Sequence, residues 1–470
     1  MTNPTKSFII LLFSCFFMVS CKTYYQKNID FNNHFQKGEF EKASKALNSD
    51  KKAEKRKTKL LYYMNNGTLA SLLGNYKESN DYFEKAYITI EDHISNPLNF
   101  AASTMINPNV VDYTGEEFEK LFIHYYKAIN YLKLNDNESA LVECRRMNIK
   151  LQILKDKFHG ANKYKQDAFM HLVMGLIYDA NLEYNNAFIA YRNAYEIYLS
   201  DYAKFFSTTA PLQLKKDILR TAYLSSLYDE LDWYEKEFKM ALEKPNLKNG
   251  DLVFLWQNGL GPVKEEWAIN FVIIRGQGGV VLFQNQQYGL NFSFPMSDAD
   301  YKSNGLADLK FIRVVFPKYV ERPTFYENAK LVFNNEFKEL ELAENINKIA
   351  FKCLEQRMLE ELGRSLLRVA LKQAAEHQLR KKNEGAGALL GVINAATEKA
   401  DTRNWQTLPH SIFYTRFSIQ QGSQNINLLM YKDNSTNKEV PFVFEIKKGQ
   451  TTFHCFQTLE TIPVNLNTPY

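Results

Sequence analysis

Cysteine is scarce in this chain of 470 residues: five in all, and past residue 21 only Cys144, Cys353 and Cys455, far apart and in mostly apolar surroundings. That spacing excludes a disulfide framework and a CxxC metal knuckle. The eight histidines are scattered, and His124 and His171 fall within helical patterns, so no metal-ligand spacing can be read. HExxH, GxSxG and Walker A patterns are all missing. The expectation is therefore no catalytic residue, no metal and no cofactor. Gly385 to Gly391 resembles a dinucleotide glycine motif but is off by one residue and follows a helix, which makes it a helix break. Strong charge is lacking too: a net +5 is too small to point to nucleic acid. The locally basic run Lys51 to Lys59 reads as a solvated helix face.

What is present begins at the N-terminus. Lys6 precedes an unbroken apolar-to-small run, Phe8 to Ser20, followed by Cys21 and the polar pair Lys22 and Thr23. A transmembrane helix needs roughly 20 apolar residues; a short apolar run behind a positive charge and before a small residue describes an export signal. A cysteine directly after the cut is the mark of lipoprotein processing. Residues 1–20 are thus expected to be a signal peptide and Cys21 the lipidated residue, with Cys15 as a second candidate that would leave an apolar start to the mature chain. Two or more acyl chains hold a protein on a membrane durably where one does not. The expected location is the outer membrane, lipid-anchored and facing the periplasm.

Residues 21–248 read as helix with internal repeats. Gly175, Tyr178, Ala187, Tyr191 and Ala194 have the small-aromatic-small spacing of a tetratricopeptide repeat; Gly67, Gly74, Tyr76, Phe83 and Ala86 share that frame. Gly38, Phe40, Ala43 and Leu47 resemble part of another unit, and Ala128, Tyr131, Ala140 and Cys144 a weaker one. Aligned on Ala43, Ser79, Ala140 and Ala187 the units lie 36, 61 and 47 residues apart, so insertions interrupt the array. Small residues let paired helices approach and aromatics fill the gaps, since one helix pair cannot bury its apolar face alone.

From residue 249 the period becomes strand-like. Leu252 to Trp256, Trp267 to Arg275, Val280 to Gln284, Leu290 to Phe294 and Phe311 to Phe316 predict a small antiparallel sheet, with a hairpin turn at Arg275 to Gly279. Helices are expected over 343–399, first a long one to about Lys382 and then a shorter one, Ala388 to Lys399. Strands return over 411–459. The fold class is thus multi-domain: an all-α tetratricopeptide-like array followed by an α+β domain, 249–470, with antiparallel strands and a long helix.

Two stretches concentrate special residues. Trp256 to Lys264 contains Asn258, Gly259, Gly261 and Pro262 ahead of Lys264; Ala400 to Pro409 contains Asp401, Arg403 and Trp405. A recognition patch and a purely structural set of caps, ion pair and packed tryptophan are both open, the structural one being the commoner use of such residues. The two stretches resemble signature segments of a family of bacterial envelope lipoproteins with N-terminal tetratricopeptide-like repeats. The resemblance implies an envelope location; the family has no assigned activity, so it transfers no catalytic residue.

Repeat domains supply binding surfaces. The leading expectation is a scaffold that binds an envelope protein or peptide in the concave groove of the repeats, lined by Met64 and Thr68, by Tyr125 and Lys133, and by Phe169, Leu172 and Asp179. An envelope enzyme acting on peptidoglycan or glycans would instead need Lys264, Asp401 and Arg403 to converge on a pocket. Docking of the C-terminal unit onto an envelope enzyme is the third reading; oligomeric state is left open.

Overall fold

A computed structural model describes residues 22–94, 111–157, 164–246, 248–276, 279–297, 309–334, 336–383, 399–433 and 435–464. Residues 1–20, Cys21 and 388–398 of the expected shorter helix lie outside them. The first half is helical: α1 (Tyr24–Lys27), α2 (Ile29–Gln36), α3 (Phe40–Leu47), α4 (Lys59–Leu72), α5 (Tyr76–Ile94), α6 (Glu117–Lys133), α7 (Asn137–Lys157), α8 (Ala168–Ala180), α9 (Tyr184–Ile197), α10 (Ala203–Phe206), α11 (Leu212–Leu224) and α12 (Tyr228–Phe238).

The helices pack as hairpins, α2 with α3, α4 with α5, α6 with α7, α8 with α9 and α11 with α12. Each hairpin turns on one residue in the left-handed region: Gly38 (φ 71°), Gly74 (79°), Asn135 (57°), Leu182 (62°) and Ser226 (56°). In each, the next amide donates to the carbonyl five residues back, from Glu39 to His34, Asn75 to Ala70, Asp136 to Tyr131, Glu183 to Tyr178 and Leu227 to Ala222. This closure satisfies carbonyls that a helix end leaves without partners. The turn residues lie 36, 61, 47 and 44 positions apart. The first three intervals match the repeat frame; the fourth belongs to a fifth unit, α11 and α12, that the sequence reading did not find.

The glycine-aromatic signature has a direct steric cause. A Cβ on Gly67 would lie 2.8 Å from the Phe83 ring, and one on Gly175 would lie 2.4 Å from the Tyr191 ring. Tyr191 is fully buried and its hydroxyl donates to Asp179 Oδ2 at 3.1 Å, so it cannot swing aside. Gly175→Ala should therefore cost about 1–3 kcal/mol by overpacking, and more than Gly67→Ala, as compared by urea unfolding; equal, sub-kilocalorie effects would rule out this packing account.

The second half comprises β1 (Asn249–Asn258), β2 (Val263–Gly276), β3 (Val280–Asn285), β4 (Leu290–Pro295), β5 (Phe311–Val320), β6 (Asn328–Phe333), β7 (Glu336–Glu339), β8 (Glu341–Asn345), α13 (Ile346–Lys382), β9 (Ser411–Gln420), β10 (Gly422–Lys432), β11 (Ser435–Ile446) and β12 (Thr451–Thr458). They form three four-stranded sheets, ordered β12-β1-β9-β8, β11-β10-β6-β7 and β4-β3-β2-β5. This corrects the expectation of one antiparallel sheet over 252–316. β1 leaves that group and pairs in parallel with β12, Asp251 opposite Thr451 through Asn258 opposite Thr458. Residues 343–345, expected as helix, belong to β8; Asn345 caps α13 by accepting from the Lys348 amide.

The reason β1 reads as a solid apolar run is that both its faces are covered. Val253 and Leu255 join the core of the helical array, together with Ile412, Tyr414 and Trp405. Leu252, Phe254 and Trp256 face the β11-β10-β6-β7 sheet and pack with Leu331, Ile426, Leu428 and Met430. The molecule is thus layered, helices against one sheet and that sheet against a second. The third sheet has its own core, where Ile269, Phe271, Phe283, Ile312 and Val314 meet Leu362, Leu366 and Val369 of α13.

Candidate functional site

The groove candidates lie where the array meets the first sheet, and they are covered. Met64, Thr68, Tyr125, Phe169, Leu172 and Asp179 are all buried. Thr407 Oγ1 donates to Asn65 Oδ1 at 2.9 Å and lies 3.4 Å from Thr68 Oγ1. Gln257 of β1 donates to the Tyr125 hydroxyl at 2.9 Å, and Lys133 Nζ donates to the Phe453 carbonyl of β12 at 2.9 Å. Arg416 of β9 reaches Asp179. Segments of the chain's own C-terminal half cover these residues.

The two motif stretches are brought together to make that contact. Gly261 N donates to Leu408 O at 2.7 Å, and Arg322, buried, donates to the carbonyls of Gly261 and Gln406. Asn404 Nδ2 donates to Pro262 O at 2.8 Å. Asn258 donates to Tyr326 O and accepts from Thr458 Oγ1. Gly259 sits at φ 65°, and a Cβ there would meet Thr324 at 2.8 Å. Trp405 is buried with its ring centroid 5.8 Å from Phe83 and 5.7 Å from Tyr126; its indole donates to Thr407 Oγ1 and its main-chain N–H to Glu119 Oε1.

The charged members are each consumed by structural partners. Lys264 pairs with Glu116, which also accepts from Arg357 Nη2 at 2.9 Å. Arg403 grips Asp401 through two bonds of 2.8 Å, donates to Val111 O at 2.9 Å and lies over the Tyr113 ring. Two clefts, of about 430 and 360 Å³, lie elsewhere, one lined by Asp232 to Ala241, the other around His171 between α7, α8 and α9. Neither is lined by Lys264, Asp401 or Arg403. Among the described residues no group of three or more His, Cys, Asp or Glu is placed to hold a metal.

Residues the sequence reading did not name also bridge the interface. Glu116 and Glu119 form a capping box at the start of α6, a pattern visible in the sequence as Glu-x-x-Glu ahead of an apolar run. Tyr198 donates to Ala343 O at 2.6 Å and Tyr202 to Glu344 Oε2 at 2.8 Å. Arg416 and Arg220 share Asp179, with Asp217 Oδ1 3.7 and 3.6 Å away, and Arg416 also binds Asp251. No motif marks these residues, which meet across the fold.

Electrostatics separates the buried acids into two kinds. Burial alone would raise Asp179, but Arg220 and Arg416 outweigh it and hold the carboxyl at about 2; for Glu116, Arg357 and Lys264 likewise overcome burial and hold it at about 2. Burial pushes Asp217 up to about 6, with Arg416 and Arg220 pulling it back only in part. Burial and the neighbouring acid raise Glu119, beside Glu116, and Glu344, beside Asp167. A carboxyl raised in the folded state favours folding below its unfolded value near 4, and that contribution is lost as pH rises to its folded value. The depressed pair act oppositely, losing their contribution as pH falls toward 2. Desolvated histidines such as the half-buried His171, lowered to about 4, add a slope of the other sign between about pH 4 and 6.5, so a difference measurement is needed. The stability of Asp217→Asn relative to wild type should rise from pH 4.5 to 7.5 by on the order of 2 kcal/mol. A difference that stays flat in urea titrations would show that Asp217 is ionised throughout.

No family model and no curated protein matches the chain. Among solved structures it is similar to the crystal structure of BtubC (BKLC) from P. vanneervenii, at 13% identity over 44% of this chain and 75% of that one, TM-score 0.32. It is also similar to the crystal structure of MamA protein, at 14% identity over 45% of this chain and 93% of that one, TM-score 0.28.

Proposed function

We propose that this protein is an interaction scaffold of the cell envelope, tethered through acylated Cys21, in which the helical array grips its own C-terminal unit and presents that unit to a protein partner. The observation that supports it is the cover that the C-terminal unit gives to the expected groove residues. Repeat arrays hold extended segments by backbone contacts and side-chain pockets, and here β1 and residues 400–410 occupy that place: Trp405 packs against two array aromatics, and its amide is bound by Glu119. With the groove used in cis, the surface left to a partner is the outward side of the C-terminal unit. Substitution at Tyr125 or Asp179 then acts through stability, not through selective loss of a partner.

Labelling cells with an alkyne fatty acid, followed by mass spectrometry of the N-terminal peptide, tests the tether and separates Cys21 from Cys15. Affinity capture from cross-linked, detergent-solubilised envelopes tests the scaffold. The expected result is a specific envelope protein cross-linked to residues beyond 249; cross-links confined to the array, or none at all, would count against this reading.

A further inference from the structure

The β4-β3-β2-β5 sheet has one face on α13 and one face turned away from it. Alternation along β2 places Ile269, Phe271 and Ile273 on the covered face and Glu266, Ala268, Asn270, Val272 and Ile274 on the other. Register sets their neighbours: Val272 stands opposite Phe311, Asn270 opposite Arg313, Ala268 opposite Val315 and Ile274 opposite Leu282. Phe311 is 70% exposed, Val272 53% and Ile274 39%. A lone exposed apolar residue needs no explanation, but directly paired ones at the end of a sheet form a patch. Along these cross-strand pairs the acidic member is Glu266, at the far end from the patch, while Arg313 lies beside it.

The described N-terminus of the chain lies on this same face. α1 packs on β2, Tyr24 N donates to Thr402 Oγ1 at 2.9 Å, and Ala400 N donates to Glu266 Oε1 at 3.2 Å. Burial raises the Glu266 carboxyl, and the Ala400 amide with the charges of Lys399, Lys27 and Arg313 draws it back, which puts those three cations around it. Tyr24 is three residues from Cys21, a reach of at most about 10 Å. From Glu266 to Val272 along β2 is about 20 Å. An acyl group on Cys21 therefore brings the bilayer to the base of this face.

We infer that this face is a membrane-contact surface: Val272, Ile274 and Phe311 enter the interfacial layer of the bilayer that holds the acyl chains, and Arg313 meets lipid phosphate. The inference rests on the tether reading for orientation, yet the face can be tested without it. Full mature chain carrying Cys21→Ala, and so unacylated, is floated with phosphatidylethanolamine and phosphatidylglycerol vesicles, alongside the same chain with Val272→Asp and Phe311→Asp. At least a fivefold lower vesicle-bound fraction is expected for the double variant, with circular dichroism unchanged because both positions are exposed. Phe337→Asp, exposed on β7, should float like its parent. Flotation that is absent, unaffected by the double substitution, or reduced equally by Phe337→Asp overturns the inference; so does a dimer-to-monomer shift without a vesicle effect, which would give the face to a second copy. The fatty-acid label reads the tether independently, so a failed tether and a failed face give different results.

Discussion

Arg416→Ala is expected to lower stability by about 3–5 kcal/mol, the range for leaving buried charges without their partner. Arg416 projects from β9 into the array and serves acids on three elements, Asp179 of α8, Asp217 of α11 and Asp251 of β1. Without it Arg220 alone faces Asp179 and Asp217, and the Asp179 carboxyl, now held at about 2, must rise. The loss falls on the joint between the halves, so cooperativity should fall with it. Unfolding followed by far-ultraviolet dichroism, weighted to the helices, and by tryptophan fluorescence, with three of the four tryptophans, Trp256, Trp267 and Trp405, in the second half, should separate in the variant and coincide in the parent. Arg416→Lys should recover only part of the loss, since an ammonium lacks the planar fork that spans several carboxylates. A loss under about 1 kcal/mol with coincident transitions would show that the cluster is not what joins the halves.

How much of this was legible depended on whether a residue type is demanded locally or by a distant partner. Gly67 and Gly175 could be read because a helix pair at that separation leaves no room for a Cβ beside Phe83 or Tyr191. The fifth repeat was not read because Leu219, Leu231 and Glu235 stand where the fourth has Gly175, Ala187 and Tyr191, and its turn falls on Ser226 in a left-handed position that glycine ordinarily marks. Strand periods on β2 and β5 were visible from alternation, whereas the partition into three sheets was not: β1 pairs in parallel with β12, some 200 residues onward. Groove residues such as Tyr125 and Phe169 were placed on the array's inner side by their frame. What covers them was not legible, because aromatics, small residues and a single acid serve intramolecular packing and ligand binding alike. The one cue was Arg416 itself, the single charge in a largely buried strand, which requires a buried counter-charge somewhere in the fold.

Trp405→Ala carries the other large expected effect, about 3–5 kcal/mol for removing a fully enclosed aromatic. Phe83 comes from α5 and Tyr126 from α6, so the ring plugs the seam between two repeat units and ties residues 400–410 to both. Its pocket resists collapse: Phe83 is already seated over Gly67, and Tyr126 stacks on Phe83 with centroids 5.4 Å apart. Losing the indole also removes the donor to Thr407 Oγ1, while that hydroxyl keeps Asn65 as its acceptor, so Trp405→Phe should cost clearly less than Trp405→Ala. If residues 400–410 are the array's own occupant, Trp405 and Arg416 hold one interface, and the double variant should lose less than the two single losses added, by about 0.5–3 kcal/mol of coupling. Additive losses in urea unfolding would mean that two independent contacts, not one joint, hold the C-terminal unit in the groove.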